Sequence, residues 1–255
     1  MTDHEAIAKL RAAGVADPAR DVRRLRRWAE NDATFEQAVA DRARRVPLSQ
    51  IVGTRAFWSS EFRVTSDVLD PRPETELLVE LALAEPFSKV LDLGTGSGCI
   101  LISLLQERPD ARGVGTDISE RAVLVAGENA ALLGVADRIT LPLSEWYDDI
   151  GGRYDLIVSN PPYIAVDEMA GLQPEVRDHE PREALTDEAD GLSAYRAIAA
   201  GALDHLAPGG RLLVEIGPTQ AEAVLEIFAA AGLEELAVHP DLDGRDRVIS
   251  ARAQK

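Results

Sequence analysis

Apolar residues fall into three successive patterns along this chain. From Asp3 to about Arg45 they recur at helical spacing, with Ile7 and Leu10 in one element and Val22, Leu25 and Trp28 in the next. Asp17-Pro18 reads as the N-cap and first-turn pair of that second helix, and a short third helix is expected after Thr34. Residues 1–46 are therefore predicted to be a small helical domain. In residues 47–70, "SQIVGTRAFWSSEFRVTS" holds two β-prone runs separated by turn-formers, which predicts a β-hairpin linker.

From residue 71 to 255 strand-like and helical runs alternate. A helix opening near Pro73 is followed by the buried strand "KVLDLG", the helix "CILISLLQER", the strand "RGVGTD", the helix "ERAVLVAGENAALLG" and the strands "ITLPL" and "YDLIVSN". The tail adds the helix "LSAYRAIAAGALDHL", the strand "GRLLVEIG", the helix "QAEAVLEIFAAAG" and the strands "LEELAVHP" and "RDRVISARA". This alternation predicts an α/β domain with a parallel sheet covered on both faces. An acidic, irregular piece from Ala165 to Asp190 lies where a substrate-covering loop would sit.

Charge narrows the partners. With 27 Lys+Arg against 44 Asp+Glu the net charge is −17, which argues against wrapping nucleic-acid phosphates. The arginines nevertheless crowd the first segment, at Arg20, Arg23, Arg24, Arg26, Arg27, Arg42, Arg44 and Arg45, which marks a break in composition and a candidate docking surface. The start "MTDHEAIAKL" has no apolar core of a signal peptide and no later run reaches membrane-spanning length, so a cytoplasmic protein is expected. The single cysteine, Cys99, leaves no pair for a disulfide or for zinc, and no metal site is expected. Cys99 itself reads as a small packed hydrophobe.

Two short stretches carry the chemistry. In "LDLGTGSGC" a strand ends in Gly94, Gly96 and Gly98 before a helix begins, so backbone can approach a ligand with no Cβ in the way. The spacing is not the G-x-G-x-x-G of dinucleotide sites. Asp117 ends the next strand, where a carboxylate accepts from ribose hydroxyls. A nucleoside cofactor follows, and S-adenosyl-L-methionine fits better than NAD because it has no pyrophosphate to cradle. Its cationic sulfonium also suits the carboxylates of Asp92 and Asp117.

In "VSNPPYIAV" two prolines follow an asparagine directly behind a strand, so Asn160, Pro161, Pro162 and Tyr163 form a rigid extended turn. Lacking two N–H groups, the turn presents acceptors. A planar NH2 group fits it, with the Asn160 side-chain oxygen and the Pro161 carbonyl taking the two N–H bonds and the Tyr163 ring covering the plane. That arrangement aims the nitrogen lone pair at a sulfonium methyl. Catalysis then rests on alignment and on acceptors that stabilise charge developing at nitrogen, without a dedicated base.

The segments "DLGTGSG", "GTDIS", "SEWY" and "VSNPPYI", together with "GTRAFW" and "PRPETE" upstream, resemble the HemK/PrmC family of release-factor glutamine N5-methyltransferases. The similarity runs from Pro47 to the C-terminus. It implies a seven-stranded, Rossmann-like methyltransferase domain dependent on S-adenosyl-L-methionine, behind a helical domain that helps to dock the substrate. It further implies cofactor binding by Gly94, Thr95, Gly96, Ser97, Gly98, Asp117, Trp146 and Asn160, with Trp146 beside the adenine. Asn160, Pro161, Pro162 and Tyr163 would hold the target, the glutamine of the Gly-Gly-Gln tip of class I peptide-chain release factors. His179, in "VRDHEPREAL", belongs to no motif that carries over. Two other readings compete. An adenine N6-methyltransferase of nucleic acid uses the same notch but must hold phosphates and splay a base, which the acidic charge disfavours. A non-catalytic nucleotide-binding scaffold would not need the intact Gly94, Asp117, Asn160 and Tyr163 set.

Overall fold

Side-chain caps decide where the N-terminal helices begin. Helix α1 (Asp3–Ala12) opens on a reciprocal capping box between Thr2 and Glu5, and α2 (Pro18–Trp28) on the Asp17 carboxylate, which accepts from the Arg20 N–H. The third helix, α3 (Asp32–Ala43), is longer than the pattern after Thr34 predicts, because Asn31 caps it by accepting from the Thr34 N–H. The structure, a computed structural model, describes residues 1–254. Leu10, Val22, Leu25, Phe35 and Val39 form a core within these three helices.

The predicted hairpin is corrected over its first run. Leu48–Val52 is a helix, α4, and Leu48, Ile51 and Val52 pack on the core of the first three helices. Their i, i+3, i+4 spacing outweighs the β-propensity of Ile and Val once that apolar surface is available. The hairpin proper is β1 (Thr54–Phe57) paired antiparallel with β2 (Ser60–Arg63). Its Phe57 and Phe62 meet edge to face at 6.1 Å and join the core of the following sheet.

A 3₁₀ turn, Pro73–Thr75, runs into α5 (Glu76–Leu83). Then come β3 (Lys89–Leu93), α6 (Cys99–Glu107), β4 (Arg112–Thr116), α7 (Glu120–Leu132), β5 (Ile139–Thr140) and β6 (Tyr154–Ser159). They are followed by α8 (Pro174–Arg177), α9 (Ser193–His205), β7 (Leu206–Glu215), α10 (Ala221–Ala230), β8 (Glu234–Pro240) and β9 (Asp246–Arg252). The seven-stranded sheet has the order β5-β4-β3-β6-β7-β9-β8.

Six of these strands point the same way, but β9 runs antiparallel to both β7 and β8, so the expected parallel sheet is a mixed one. The reason is local: β8 and β9 are joined by a tight turn with Gly244 at φ 77°, and a short connection between sheet neighbours forces antiparallel pairing. The expected strand "ITLPL" shrinks to Ile139–Thr140 plus an isolated bridge from Leu143 to Asp117, with Pro142 unable to donate between them. Successive strand residues feed opposite faces. Val90, Val158 and Leu213 enter the cluster that includes α5 and α6, while Leu91, Ile157 and Leu212 enter the one that includes α9 and α10.

The piece from Ala165 to Asp190 is folded into short turns, α8, and a parallel bridge between Ile164 and Thr186. It is tied to the N-terminal helices by Glu175, which pairs with Arg45 and, at 3.0 Å, with Arg42. Gln50 also donates to the His179 carbonyl at 3.0 Å. His179 therefore sits at the junction with the N-terminal helices. Among the described residues no helix is long and apolar enough to cross a membrane.

Candidate functional site

Strands β3 and β6 are hydrogen-bonded neighbours, with Leu93 opposite Ser159. Gly94 and Asn160 therefore leave the sheet at the same level, at the carboxyl edge where α/β sheets receive ligands. A cavity of about 730 Å³ opens there, within the range of small-molecule sites. Gly94, Thr95, Gly96, Ser97, Asp117, Trp146, Asn160 and Pro162 line it, whereas Gly98, Pro161 and Tyr163 do not.

The glycines differ in purpose. Gly96 has φ 55° and open space where a Cβ would stand. Gly98, at φ 78°, would put a Cβ 2.8 Å from Ile102 Cδ1 and 3.3 Å from Ala126 Cβ, so its lack of a side chain lets α6 and α7 meet. The Asp117 carboxylate accepts from the Gly96 N–H and the Ser119 N–H, each at 2.9 Å, and keeps further lone pairs for a ligand. Burial raises its pKa in spite of those two backbone donors.

Asp92 is not part of the cavity wall. It is 0% exposed beneath the loop, where Thr95 Oγ1 donates to its Oδ2 at 2.7 Å and burial pushes its pKa up to about 7. Of the two carboxylates expected to face a sulfonium, only Asp117 faces the cavity. Trp146 lies on the wall with φ 50°, a left-handed conformation that is uncommon for a bulky residue. Cys99 is buried, and burial pushes its thiol up to about 12, far from a reactive thiolate.

On the other wall, the Asn160 amide donates through Nδ2 to Thr75 Oγ1 at 3.2 Å, and Thr75 Oγ1 donates to Glu215 Oε2 at 2.5 Å. Asn160 Oδ1 is buried and has no hydrogen-bond partner. A buried amide oxygen left free is costly unless a ligand donor meets it. The Tyr163 ring packs against the cluster of α9 and α10, and its hydroxyl reaches Glu215 Oε1 at 3.5 Å. Thr75 and Glu215 escape the motif reading. One signal was available for each: Thr75 lies inside "PRPETE", and Glu215 is a lone acid ending the otherwise apolar run "LLVE" at the same sheet edge.

Pro181, Arg182, Glu183, Ala184 and Thr186 from the piece after the notch also line the cavity. Arg72 secures that piece, donating from Nη2 to both Glu180 oxygens at 2.7 and 2.5 Å.

The methyltransferase small domain family matches residues 65–172, which hold the glycine loop and the notch. Over 265 aligned residues the chain is 57% identical to the release factor glutamine methyltransferase of Cereibacter sphaeroides, covering 97% of this chain and 95% of that relative. The chain belongs to the release factor glutamine methyltransferase family. A second member of that family, from Caulobacter vibrioides, is 46% identical, with 92% of this chain and 81% of the relative covered. Among solved structures, a methyltransferase from Pyrococcus furiosus superposes with a TM-score of 0.62, over 85% of this chain and 99% of that one. At 15% identity it speaks for the fold alone.

Proposed function

We propose that this family member methylates the side-chain amide nitrogen of the glutamine in the Gly-Gly-Gln motif of class I peptide-chain release factors, with S-adenosyl-L-methionine as methyl donor. The observation that carries the reading is one cavity lined by Gly96 and Asp117 on one wall and by Asn160 on the other, with Asn160 Oδ1 buried and without a hydrogen-bond partner. The wall residues suit the donor. Gly96 leaves room against the backbone, Asp117 retains free lone pairs for ribose hydroxyls, and Trp146 offers a ring beside a base.

When bound, S-adenosyl-L-methionine would supply an electrophilic methyl group, its sulfur keeping the electron pair of the broken S–CH3 bond. Asn160 Oδ1 would accept an N–H of the substrate amide, holding the amide plane so that its nitrogen is presented to the donor. An amide nitrogen is a weak nucleophile, so its orientation and the acceptor beside the developing positive charge supply the acceleration. The nitrogen proton becomes acidic as the new bond forms and leaves to solvent. We assign the arginine-rich segment 1–46 to docking of the protein substrate. The contacts of Arg42 and Arg45 with Glu175 join it to the piece that walls the cavity.

The test is incubation with radiolabelled S-adenosyl-L-methionine and either a class I release factor or nucleic acid, followed by mass-spectrometric localisation of the methyl group. Label on the Gly-Gly-Gln glutamine is the expected result. Label in nucleic acid alone favours the adenine N6 reading.

A further inference from the structure

We propose that Thr75 and Glu215 are positioning residues that determine which end of the Asn160 amide faces the substrate. The proposal rests on the reading of the notch as a glutamine-amide site. A carboxamide is nearly symmetric in shape but not in polarity. Turned one way, Asn160 offers an acceptor to the substrate NH2; turned the other way, it offers a second NH2 and repels it.

The turn is decided two residues away. An ionised carboxylate only accepts, so the single Thr75 proton goes to Glu215 Oε2, 2.5 Å from Thr75 Oγ1. The lone pairs of Thr75 Oγ1 are then left for a donor, and Asn160 supplies it through Nδ2 at 3.2 Å. The amide oxygen must therefore point the other way, where Oδ1 is buried and unpartnered. A protonated Glu215 could instead donate to Thr75, freeing the Thr75 proton for the Asn160 oxygen and reversing the chain. Glu215 is 1% exposed and faced by Tyr163 from the notch, by Arg72 and Glu74 from the segment before α5, by Cys99 from α6, by Tyr195 from α9 and by Arg247 from β9. Burial is the largest influence and pushes its pKa up to about 7.

Three variants test the relay. Thr75→Val keeps the shape and removes the hydroxyl, and should lower kcat on a release factor about 100-fold, as loss of a preorganised polar group does, with calorimetric affinity for S-adenosyl-L-methionine within about twofold. Thr75→Ser should restore turnover to within a few-fold of wild type. The wild-type kcat should fall as pH drops through about 7, and Glu215→Gln should flatten that fall. Equal losses in Thr75→Val and Thr75→Ser, or an unchanged pH profile in Glu215→Gln, would overturn the proposal. The side-chain amide resonances of Asn160 provide a readout that needs no substrate. They should titrate with Glu215 in the wild type and not in Glu215→Gln, and pH-independent wild-type resonances also overturn the relay. A wild-type enzyme that leaves release factors unmethylated but shows this titration would remove the functional reading and keep the relay.

Discussion

The glycine loop after β3 and the proline notch after β6 stand side by side on one sheet edge but draw on very different spans of the chain. The loop is organised by its own backbone and by Asp117, 21 residues from the Gly96 N–H that it accepts. The notch takes its polarity from Thr75, 85 residues before Asn160, and from Glu215, a further 140 residues from Thr75. A site made of backbone conformation announces itself in a few consecutive letters. A site made of side-chain hydrogen bonds depends on how distant segments meet.

Removing the acceptor from the notch should have the largest effect. Asn160→Ala should lower kcat by on the order of 10²- to 10³-fold in single-turnover methylation of a release factor, with cofactor affinity changing far less. Near-normal turnover would break the division of labour between the two walls. On the loop side, Asp117→Ala should weaken S-adenosyl-L-methionine binding by about ten- to a hundredfold in calorimetric titration, equivalent to about 1–3 kcal/mol. Turnover lost at unchanged affinity would mean that Asp117 does not act on the cofactor.

The loop glycines sharpen the contrast within one motif. Gly98→Ala drives a methyl into Ile102 and Ala126 and should destabilise the fold by about 1–3 kcal/mol, seen as a lowered melting temperature. Gly96→Ala meets no atom within 4 Å and should lose mainly cofactor affinity, with about 1 kcal/mol of left-handed strain. Similar melting temperatures for the two would break the assignment of packing to one and ligand approach to the other.

The smallest effect concerns what the walls share, a buried carboxyl each. Asp92 is raised from 3.8 and Glu215 from 4.5, both to about 7 and both by burial. The folded chain binds these protons more tightly than the unfolded one, so their contribution is complete below about pH 4 and is lost as pH rises to about 7. The melting temperature of the ligand-free protein should fall between pH 5 and 8, and Asp92→Asn should recover part of that loss at pH 8. A flat profile would show that neither carboxyl carries a burial penalty.

Local rules made most elements legible. The Asp17-Pro18 start, the alternation of strands and helices, the glycine loop and the rigid proline turn all follow from dihedral restrictions and periodicity within a few residues. Helix α4 was hidden because Leu48, Ile51 and Val52 suit either a strand or a helix until the core of the first three helices offers them a surface. Strand β9 was legible as a strand, but its place between β7 and β8 is set by a tight turn and by pairing across the sheet. Gly and Pro act on their own φ angles and donors, so a few consecutive residues already say which backbone segments can approach a ligand. That Asp92 lies beneath the loop while Asp117 faces the cavity, and that Thr75 and Glu215 converge on Asn160, follows from how the folded segments meet. Burial and hydrogen-bond direction are properties of segments brought together, and no residue carries them alone.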